Sequence, residues 1–258
     1  MKQSYDSKGE NMSTLRIGMT SVTFRNKSVQ EVVEICRREN VGYIEWGSDV
    51  HVKTRDDALN AKKLCDEAGI TISSYGSYYR VGSGTAEEWR TLCENASIMG
   101  AASIRVWLGT KDSEKTTDEE YQNLLNDCRS ICDVAAEYNI LVCPECHDNT
   151  FNNNTDAIIR FRKDLGRDNF NTYFQSRYFR MEYDLDRIDR TFDFIRDMHV
   201  SYSDLKREQM FRKKDKNYLD TLLKKMISKG FDGIVMLEFT QNSSEKAFAE
   251  DIAKLKNY

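Results

Sequence analysis

Four polar residues stand at the ends of short apolar segments in the second half of the chain, where they could hold a divalent metal ion. They are Glu145, Gln175, His199 and Glu238. Two carboxylates, an imidazole and an amide oxygen form a plausible ligand set for Mn²⁺, Mg²⁺, Co²⁺ or Zn²⁺. A salt bridge or a hydrogen-bonded core histidine would explain any one of these residues alone. Four of them on four successive segments favour a metal site.

The two glutamates each end a row of apolar residues that would share one face of a strand. The rows are Leu141, Cys143 and Glu145 on one segment and Ile234, Met236 and Glu238 on the other. A charged residue at the end of such a row needs a partner or a metal ion. The segment that contains His199 is less regular, because Asp197 shares its face and would need an arginine partner or a shifted register.

The segment LVCPECHDNTF, residues 141–151, also contains a Cys-x-x-Cys motif. In a strand, Cys143 would share the face of Glu145 and Cys146 would point away, so the two thiols could not act together. A thioredoxin-type motif has its first cysteine at a helix N-terminus, and a structural zinc site needs a second pair of ligands. We therefore interpret the segment as a strand end that delivers Glu145.

Several further residues near the predicted strand ends could contact a polyhydroxylated substrate, either neutral or anionic. These candidate substrate-binding residues are His51, Tyr75, Arg105, Trp107, His147 and Arg177. Aromatic rings can stack on the C–H faces of a sugar, and His147 can reach a hydroxyl group. Arg105 and Arg177 could instead balance the charge of the inward-facing carboxylates, and the sequence leaves both interpretations open.

A recurring pattern of amphipathic helix, glycine or asparagine, and short apolar strand would position these residues. It occurs in EICRRENVGYIEW, LCDEAGITISSY, ASIMGAASIRVW, VAAEYNILVCPE and MISKGFDGIVMLEF. The residues expected to end the helices in the left-handed conformation are Gly42, Gly69, Gly100, Asn139 and Gly230. Further strands at 15–20, 170–175 and 194–200 bring the count to eight. The prediction is an α/β fold, a single (β/α)8 TIM barrel over residues 14–258, with its chemistry at the C-terminal strand ends. A doubly wound open sheet is the alternative.

Composition excludes several classes of protein. The chain has 258 residues, 40% of them hydrophobic, and a net charge of −4. These values allow one large core and predict neither a nucleic-acid nor a membrane partner. An odd number of cysteines, seven, predicts reduced thiols and a cytoplasmic location rather than a disulfide framework. Residues 1–13 are predicted to be a polar, disordered tail.

Several segments resemble the sugar phosphate isomerase/epimerase family of xylose-isomerase-like TIM barrels. They are GYIEWGSDVHV, SIRVWLG, PECHDNT, MHVSYSD and GIVMLEF, and the similarity extends from about residue 15 to the C-terminus. The resemblance implies one divalent metal ion (Mn, Co, Zn or Mg) held by Glu145, His199, Glu238 and a ligand from strand six. The family usually has Asp there, whereas this chain has Gln175, which removes one negative charge.

The same resemblance implies isomerisation or epimerisation of a small sugar or sugar phosphate through a metal-bound enediolate. Glu145 and Glu238 would be the catalytic acid–base pair, and His147 would orient a substrate hydroxyl. Homodimers and homotetramers are common among such barrels.

Three alternative functions remain open at this stage. A dehydratase, a lyase acting on a sugar-derived substrate, would use the same proton abstraction. A non-catalytic sugar-binding barrel is suggested by Gln175. An apurinic-site endonuclease is disfavoured, because such a three-zinc site needs many histidine ligands and a basic surface, whereas the chain has three histidines.

Overall fold

The structure is a computed structural model that describes residues 15–176, 180–201 and 217–258. The predicted tail and Arg177 lie outside these residues. The strands are β1 (Arg16–Thr20), β2 (Tyr43–Gly47), β3 (Thr71–Val81), β4 (Ser103–Leu108), β5 (Leu141–Pro144), β6 (Thr172–Gln175), β7 (Ile195–Ser201) and β8 (Ile234–Glu238). The α-helices of the described residues are α1 (Val29–Arg38), α2 (Arg55–Ala68), α3 (Ala86–Met99), α4 (Asp118–Glu137), α5 (Thr155–Leu165), α6 (Met181–Thr191), α7 (Tyr218–Ser228) and α8 (Glu245–Leu255).

The eight parallel strands form a nearly closed barrel. Their hydrogen-bonded order is β5-β4-β3-β2-β1-β8-β7-β6, which leaves β5 and β6 to meet. There the Val142 N–H donates to Asn169 O at 2.8 Å, and the Asn171 N–H donates to Val142 O at 3.0 Å. The predicted (β/α)8 TIM barrel is therefore confirmed, and the open doubly wound sheet is excluded.

The helix ends largely follow the predicted pattern. Gly69, Gly100, Asn139 and Gly230 all have positive φ, as expected of residues that end a helix. The prediction for Gly42 was wrong. Helix α1 ends at Arg38, and the left-handed residue is Asn40, with φ of 50°, because asparagine tolerates this conformation better than most residues with a side chain.

The hydrophobic residues form two clusters, one between the barrel and its helices and a smaller one inside the barrel. The interior cluster consists of Cys143, Tyr173, Ile234 and Met236, with Tyr43 and Leu141 packed against it. The alternation predicted for β5 and β8 is thereby observed, and it directs Glu145 and Glu238 toward the barrel axis. In the described part of the chain, no helix is both long and apolar enough to cross a membrane.

Candidate active site

Glu145, His199 and Glu238 converge at the C-terminal end of the barrel. Each residue is at most 6% exposed, and each offers a ligand atom within 4.8 Å of the others. His199 Nδ1 lies 3.9 Å from Glu145 Oε1 and 3.7 Å from Glu238 Oε2. Both ring nitrogens of His199 are buried without a hydrogen-bond partner. Three ligand atoms around a common point, with unsatisfied imidazole nitrogens, fit a divalent cation such as Zn²⁺ or Mn²⁺.

Gln175 supplies a fourth unsatisfied atom near this cluster. It ends β6 and pairs in register with His199 on β7. Its Oε1 atom is buried and has no hydrogen-bond partner within the described parts of the chain, whereas its backbone carbonyl accepts from Arg187 Nη1 at 3.2 Å. An amide oxygen with no protein donor is free to accept from a substrate or to bind a hard cation.

Glu45 on β2 is a further carboxylate of this cluster, and it was not predicted from the sequence. It is 1% exposed, and its Oε2 lies 3.6 Å from His199 Nε2. Arg105 donates through Nε to Glu45 Oε1 at 3.1 Å and through Nη1 to Glu145. The alternation argument used for Glu145 would have found Glu45, because Tyr43 and Glu45 occupy alternate positions of one short strand. Arg105 balances the charge of inward carboxylates, one of its two predicted roles.

Two hydroxyl groups complete the hydrogen bonding of Glu45. Ser74 Oγ and the Tyr173 hydroxyl each donate to Glu45 Oε2 at 2.9 Å. With Arg105 they hold this carboxylate in one position without a metal ion. Glu45 therefore lies near His199 Nε2 and is held by three protein donors, whereas Glu145 and Glu238 lie near His199 Nδ1 and Glu145 also pairs with Arg105.

The environments of these groups move their pKa values apart. Burial opposes the ionisation of Glu45, but Arg105 and His199 outweigh it and lower the pKa of Glu45 to about 2. Burial raises the pKa of Glu238 to about 7, despite the opposing charge of His199. Burial alone would lower the pKa of His199, but the Glu238 and Glu45 carboxylates raise it to about 9. Such a cluster attracts positive charge, either a proton or a metal ion.

An aromatic wall lies one step nearer the barrel mouth. Trp107, two residues beyond Arg105, stacks on the His147 ring with centroids 4.7 Å apart and planes at 16°. The Tyr78 ring lies 5.9 Å from Trp107, and Arg80 places its guanidinium carbon 4.0 Å from the Trp107 centroid. Tyr78 and Arg80 were not anticipated, because an irregularity in β3 between Gly76 and Arg80 breaks the alternation on which the sequence argument depended.

Two of the residues predicted to bind substrate are engaged elsewhere in the fold. Tyr75 lies in the cluster between barrel and helices, and its hydroxyl donates to Val52 O at 2.6 Å. His51 is buried, with Nδ1 3.0 Å from Ser21 Oγ and Nε2 3.0 Å from Lys27 O. Neither side chain has a polar group left for a substrate. Arg177 lies outside the described residues.

Two uncertain features of the sequence also have structural answers. Asp197 Oδ1 accepts from the Ile234 N–H at 2.8 Å and from Arg196 Nη1 at 3.3 Å, and the β6–β7 register shifts beside it. Asp197 is therefore paired with the adjacent Arg196 and lies beside a shifted register. The cysteines of the Cys-x-x-Cys motif are buried and form no disulfide bond, with Cys143 in the interior cluster and Cys146 donating to Asn152 O.

Comparison with known proteins gives the family. A model of the xylose isomerase-like TIM barrel matches residues 32–258. The chain belongs to this family. Solved structures of similar fold include the probable 3-DHS dehydratase of Bacillus anthracis, with a TM-score of 0.76, 15% identity, and coverage of 94% of this chain and 99% of that one. Another is the 3-keto-D-glucoside 4-epimerase of E. coli, with a TM-score of 0.75, 13% identity, and coverage of 95% and 100%.

Two further similar proteins extend this comparison. The D-psicose 3-epimerase of Clostridium cellulolyticum H10 has a TM-score of 0.69 at 14% identity. The matched region covers 94% of this chain and 95% of the epimerase chain. In sequence, the chain is 25% identical over 150 residues to a 3-dehydroshikimate dehydratase of Bacillus anthracis, which is 53% of this chain and 52% of the relative. The sequence match thus spans about half the length of the dehydratase.

Proposed function

We propose that this barrel is a divalent-metal-dependent enzyme that isomerises or epimerises a small sugar or sugar phosphate. The observation that carries the proposal is the convergence of Glu145, His199 and Glu238 within 4.8 Å at the C-terminal end of the barrel. The reaction would begin with removal of a proton from the carbon beside the substrate carbonyl. Epimerases among the structures of similar fold support this reaction type.

The residues present fit a single divalent cation. Glu145, His199 and Glu238 would bind it, and Gln175 would contribute its unpartnered Oε1. When bound, the ion would polarise the substrate carbonyl and stabilise the negative charge that develops on its oxygen. The neutral imidazole is the form of histidine that binds metal, so the cation would take the place of the proton that the surrounding carboxylates favour on His199.

The protein groups would perform the proton transfers. Glu145 and Glu238 come from strands on different sides of the barrel and would act on opposite faces of the substrate carbon as acid and base, a contribution of roughly 10²–10⁴-fold. Arg105 would hold Glu145 in position through their ion pair. His147, stacked on Trp107, would orient a substrate hydroxyl above the carboxylates.

A dehydratase is the second candidate, and one observation favours it. The match to the 3-dehydroshikimate dehydratase is a match in sequence, whereas the epimerases are similar to this chain in fold at 13–14% identity. Dehydration begins with the same proton abstraction but continues with loss of a hydroxyl group. The same carboxylates would therefore serve both reactions, and the substrate decides between them.

We also propose that the protein is cytoplasmic and that it forms a homodimer or homotetramer. The location is supported by the seven cysteines, all of which are buried and outside any disulfide bond, since reduced thiols are typical of that compartment. The proposed partner is a small polyhydroxylated molecule.

The metal site is tested first by metal content. Protein purified without chelator should contain about one equivalent of Mn, Co, Zn or Mg, or acquire it on incubation with Mn²⁺. Glu238→Gln should lose at least about tenfold in affinity for that ion, because it removes one of the anionic ligands. Glu137→Gln, an exposed change on α4, is the control and should bind as wild type does. Absence of metal from wild type after soaking would refute the proposal.

The reaction is tested in D₂O with the metal-loaded enzyme. D-psicose, D-fructose, D-fructose 6-phosphate and 3-dehydroshikimate would be followed by NMR. Deuterium incorporation with formation of an isomer or epimer supports the first candidate, and an aromatic product from 3-dehydroshikimate supports the second. Binding of these compounds without exchange or product would instead indicate a non-catalytic sugar-binding barrel.

A further inference from the structure

Arg80 is a partly buried cation that the proposed mechanism does not use. It lies near the C-terminal end of β3 and pairs in register with Trp107 of β4, above the level of Gly76 and Arg105, which pair with each other. Its guanidinium carbon lies 4.0 Å from the Trp107 ring centroid. Trp107 in turn stacks on His147, two residues beyond Glu145. Arg80 therefore stands on the wall that leads to the proposed metal ligands.

In the described part of the chain, Arg80 has no acidic partner. Its hydrogen bond is from Nη1 to the Gly109 carbonyl at 3.0 Å, and burial lowers its pKa with no carboxylate to offset the loss of solvent. Several other cations at this end of the barrel form ion pairs with carboxylates. These pairs are Arg25 with Asp49, Lys27 with Glu245, Lys111 with Glu120, and Arg105 with Glu45 and Glu145.

The contacts of Arg80 hold the side chain in one orientation and leave most of its donors free. A guanidinium group has five N–H donors in a fixed plane, and the contact with Gly109 occupies one of them. The cation–π contact with Trp107, 4.0 Å from guanidinium carbon to ring centroid, restricts the side chain further. Beside it, the Trp107 Nε1 atom is buried and has no hydrogen-bond partner among the described residues. A preoriented, unpaired guanidinium next to a second free donor is suited to carboxylate or phosphate oxygens.

We propose that Arg80 binds an anionic oxygen group of the substrate, a carboxylate or a phosphate, while the carbonyl end of the substrate faces Glu145 and Glu238. This inference rests on the proposed function and narrows it, because it assigns the substrate to the polyhydroxylated acids or sugar phosphates and excludes neutral sugars. Arg105, which the sequence offered for this role, is neutralised by two glutamates. Arg80 is a specificity residue and takes no part in proton transfer.

The test measures preference for the anion without requiring turnover. Calorimetric titration of the metal-soaked protein would compare D-fructose 6-phosphate with D-fructose, and shikimate with its methyl ester. We expect wild type to bind the charged member of one pair at least about tenfold more tightly than the neutral member. The pair that shows the preference distinguishes a phosphate from a carboxylate. Equal affinity within both pairs, or binding of no compound, would overturn the proposal.

Three variants locate the preference at Arg80. Arg80→Gln should lose it, with affinity for the neutral member and metal content unchanged within about twofold. Arg80→Lys keeps the charge but not the planar fork and should retain part of the preference for the charged compound. If Arg80→Gln does not fold, this partial loss tests the proposal. Arg90→Gln removes an exposed arginine on α3 and should behave as wild type.

The outcomes separate this inference from the proposed function. An unchanged preference in both Arg80 variants would refute the anion site even if Glu238→Gln loses the metal. Conversely, a preference lost in Arg80→Gln would stand as anion binding even if the protein binds no metal.

Discussion

At the scale of single residues, the buried charge network depends on the absence of a side chain at Gly76. A Cβ atom added there would lie 2.7 Å from Glu45 Oε1 and 3.0 Å from Arg105 Nη2. Both atoms belong to buried groups that are paired with each other, so an added methyl group would have to displace at least one of them. The glycine of the SSYGSYY segment is thus required by the approach of a carboxylate and a guanidinium rather than by a turn.

We therefore expect Gly76→Ala to lower the free energy of unfolding by about 1–3 kcal/mol, since the added methyl group overpacks the barrel interior. Gly42→Ala is the matched control. Gly42 is exposed, and a Cβ atom added to it would have no heavy atom within 4 Å, so the change should be within about 0.5 kcal/mol or slightly stabilising. Urea unfolding of the two variants measures the difference. Equal stability would show that the Glu45–Arg105 pair can move at little cost.

At the scale of elements, side chains before the helices fix where many of them begin. Three helices start with a reciprocal capping box, in which the capping side chain and the third helical residue bond each other's backbone N–H groups. The pairs are Ser28 with Glu31, Thr54 with Asp57, and Thr117 with Glu120. These four-residue patterns are local and can be read from sequence. They fix the residue at which each helix begins and thereby the position of the strand that follows it.

The cap of α4 offers a direct test, because this helix of 20 residues precedes β5, which ends one residue before Glu145. Thr117 is exposed, and its Oγ1 accepts from the Glu120 N–H at 3.2 Å. Thr117→Ala should lower the free energy of unfolding by about 1 kcal/mol. Thr117→Ser keeps the accepting oxygen and should lose less than half of that amount. Similar losses in the two variants would assign the effect to packing of the methyl group.

At the scale of the whole molecule, the barrel interior is layered. Apolar residues fill the lower part, the network of Glu45, Arg105, Glu145, His199 and Glu238 lies above them, and the aromatic wall lies at the mouth. The cysteines are distributed through the buried parts of the fold, and all seven are buried. Burial raises the pKa of Cys65 to about 11 and that of Cys93 to about 12.

Thiol reactivity should therefore report on the integrity of the barrel. The thiolate is the reactive form, and a raised pKa leaves little of it at pH 8. We expect Ellman's reagent to react with the thiols of the native protein at least about 100-fold more slowly than with those of the denatured protein. In denaturant, all seven thiols should react. Raising the pH from 7 to 9 should increase the rate of the thiol reaction more in the unfolded protein than in the native one. A rapidly reacting thiol in native protein would contradict the burial of that cysteine.

Sequence by itself determined the barrel, the strand ends and the direction of their inward side chains. This was possible because helix period, strand alternation and helix-ending residues act within a few neighbouring positions. It predicted the convergence of Glu145, His199 and Glu238 for the same reason, since parallel strands bring their carboxyl ends to one edge.

Only the tertiary structure decided which of these groups pair. Arg105 is 60 residues from Glu45 and 40 from Glu145, and the contact depends on the register between strands and on space left by Gly76. The irregularity in β3 places Tyr78 and Arg80 at the barrel mouth. Tyr75 and His51 instead form hydrogen bonds with backbone and hydroxyl groups that are distant in sequence. Alternation gives a side chain its face of the sheet, but its partners are set by distances across a closed barrel that no local pattern contains.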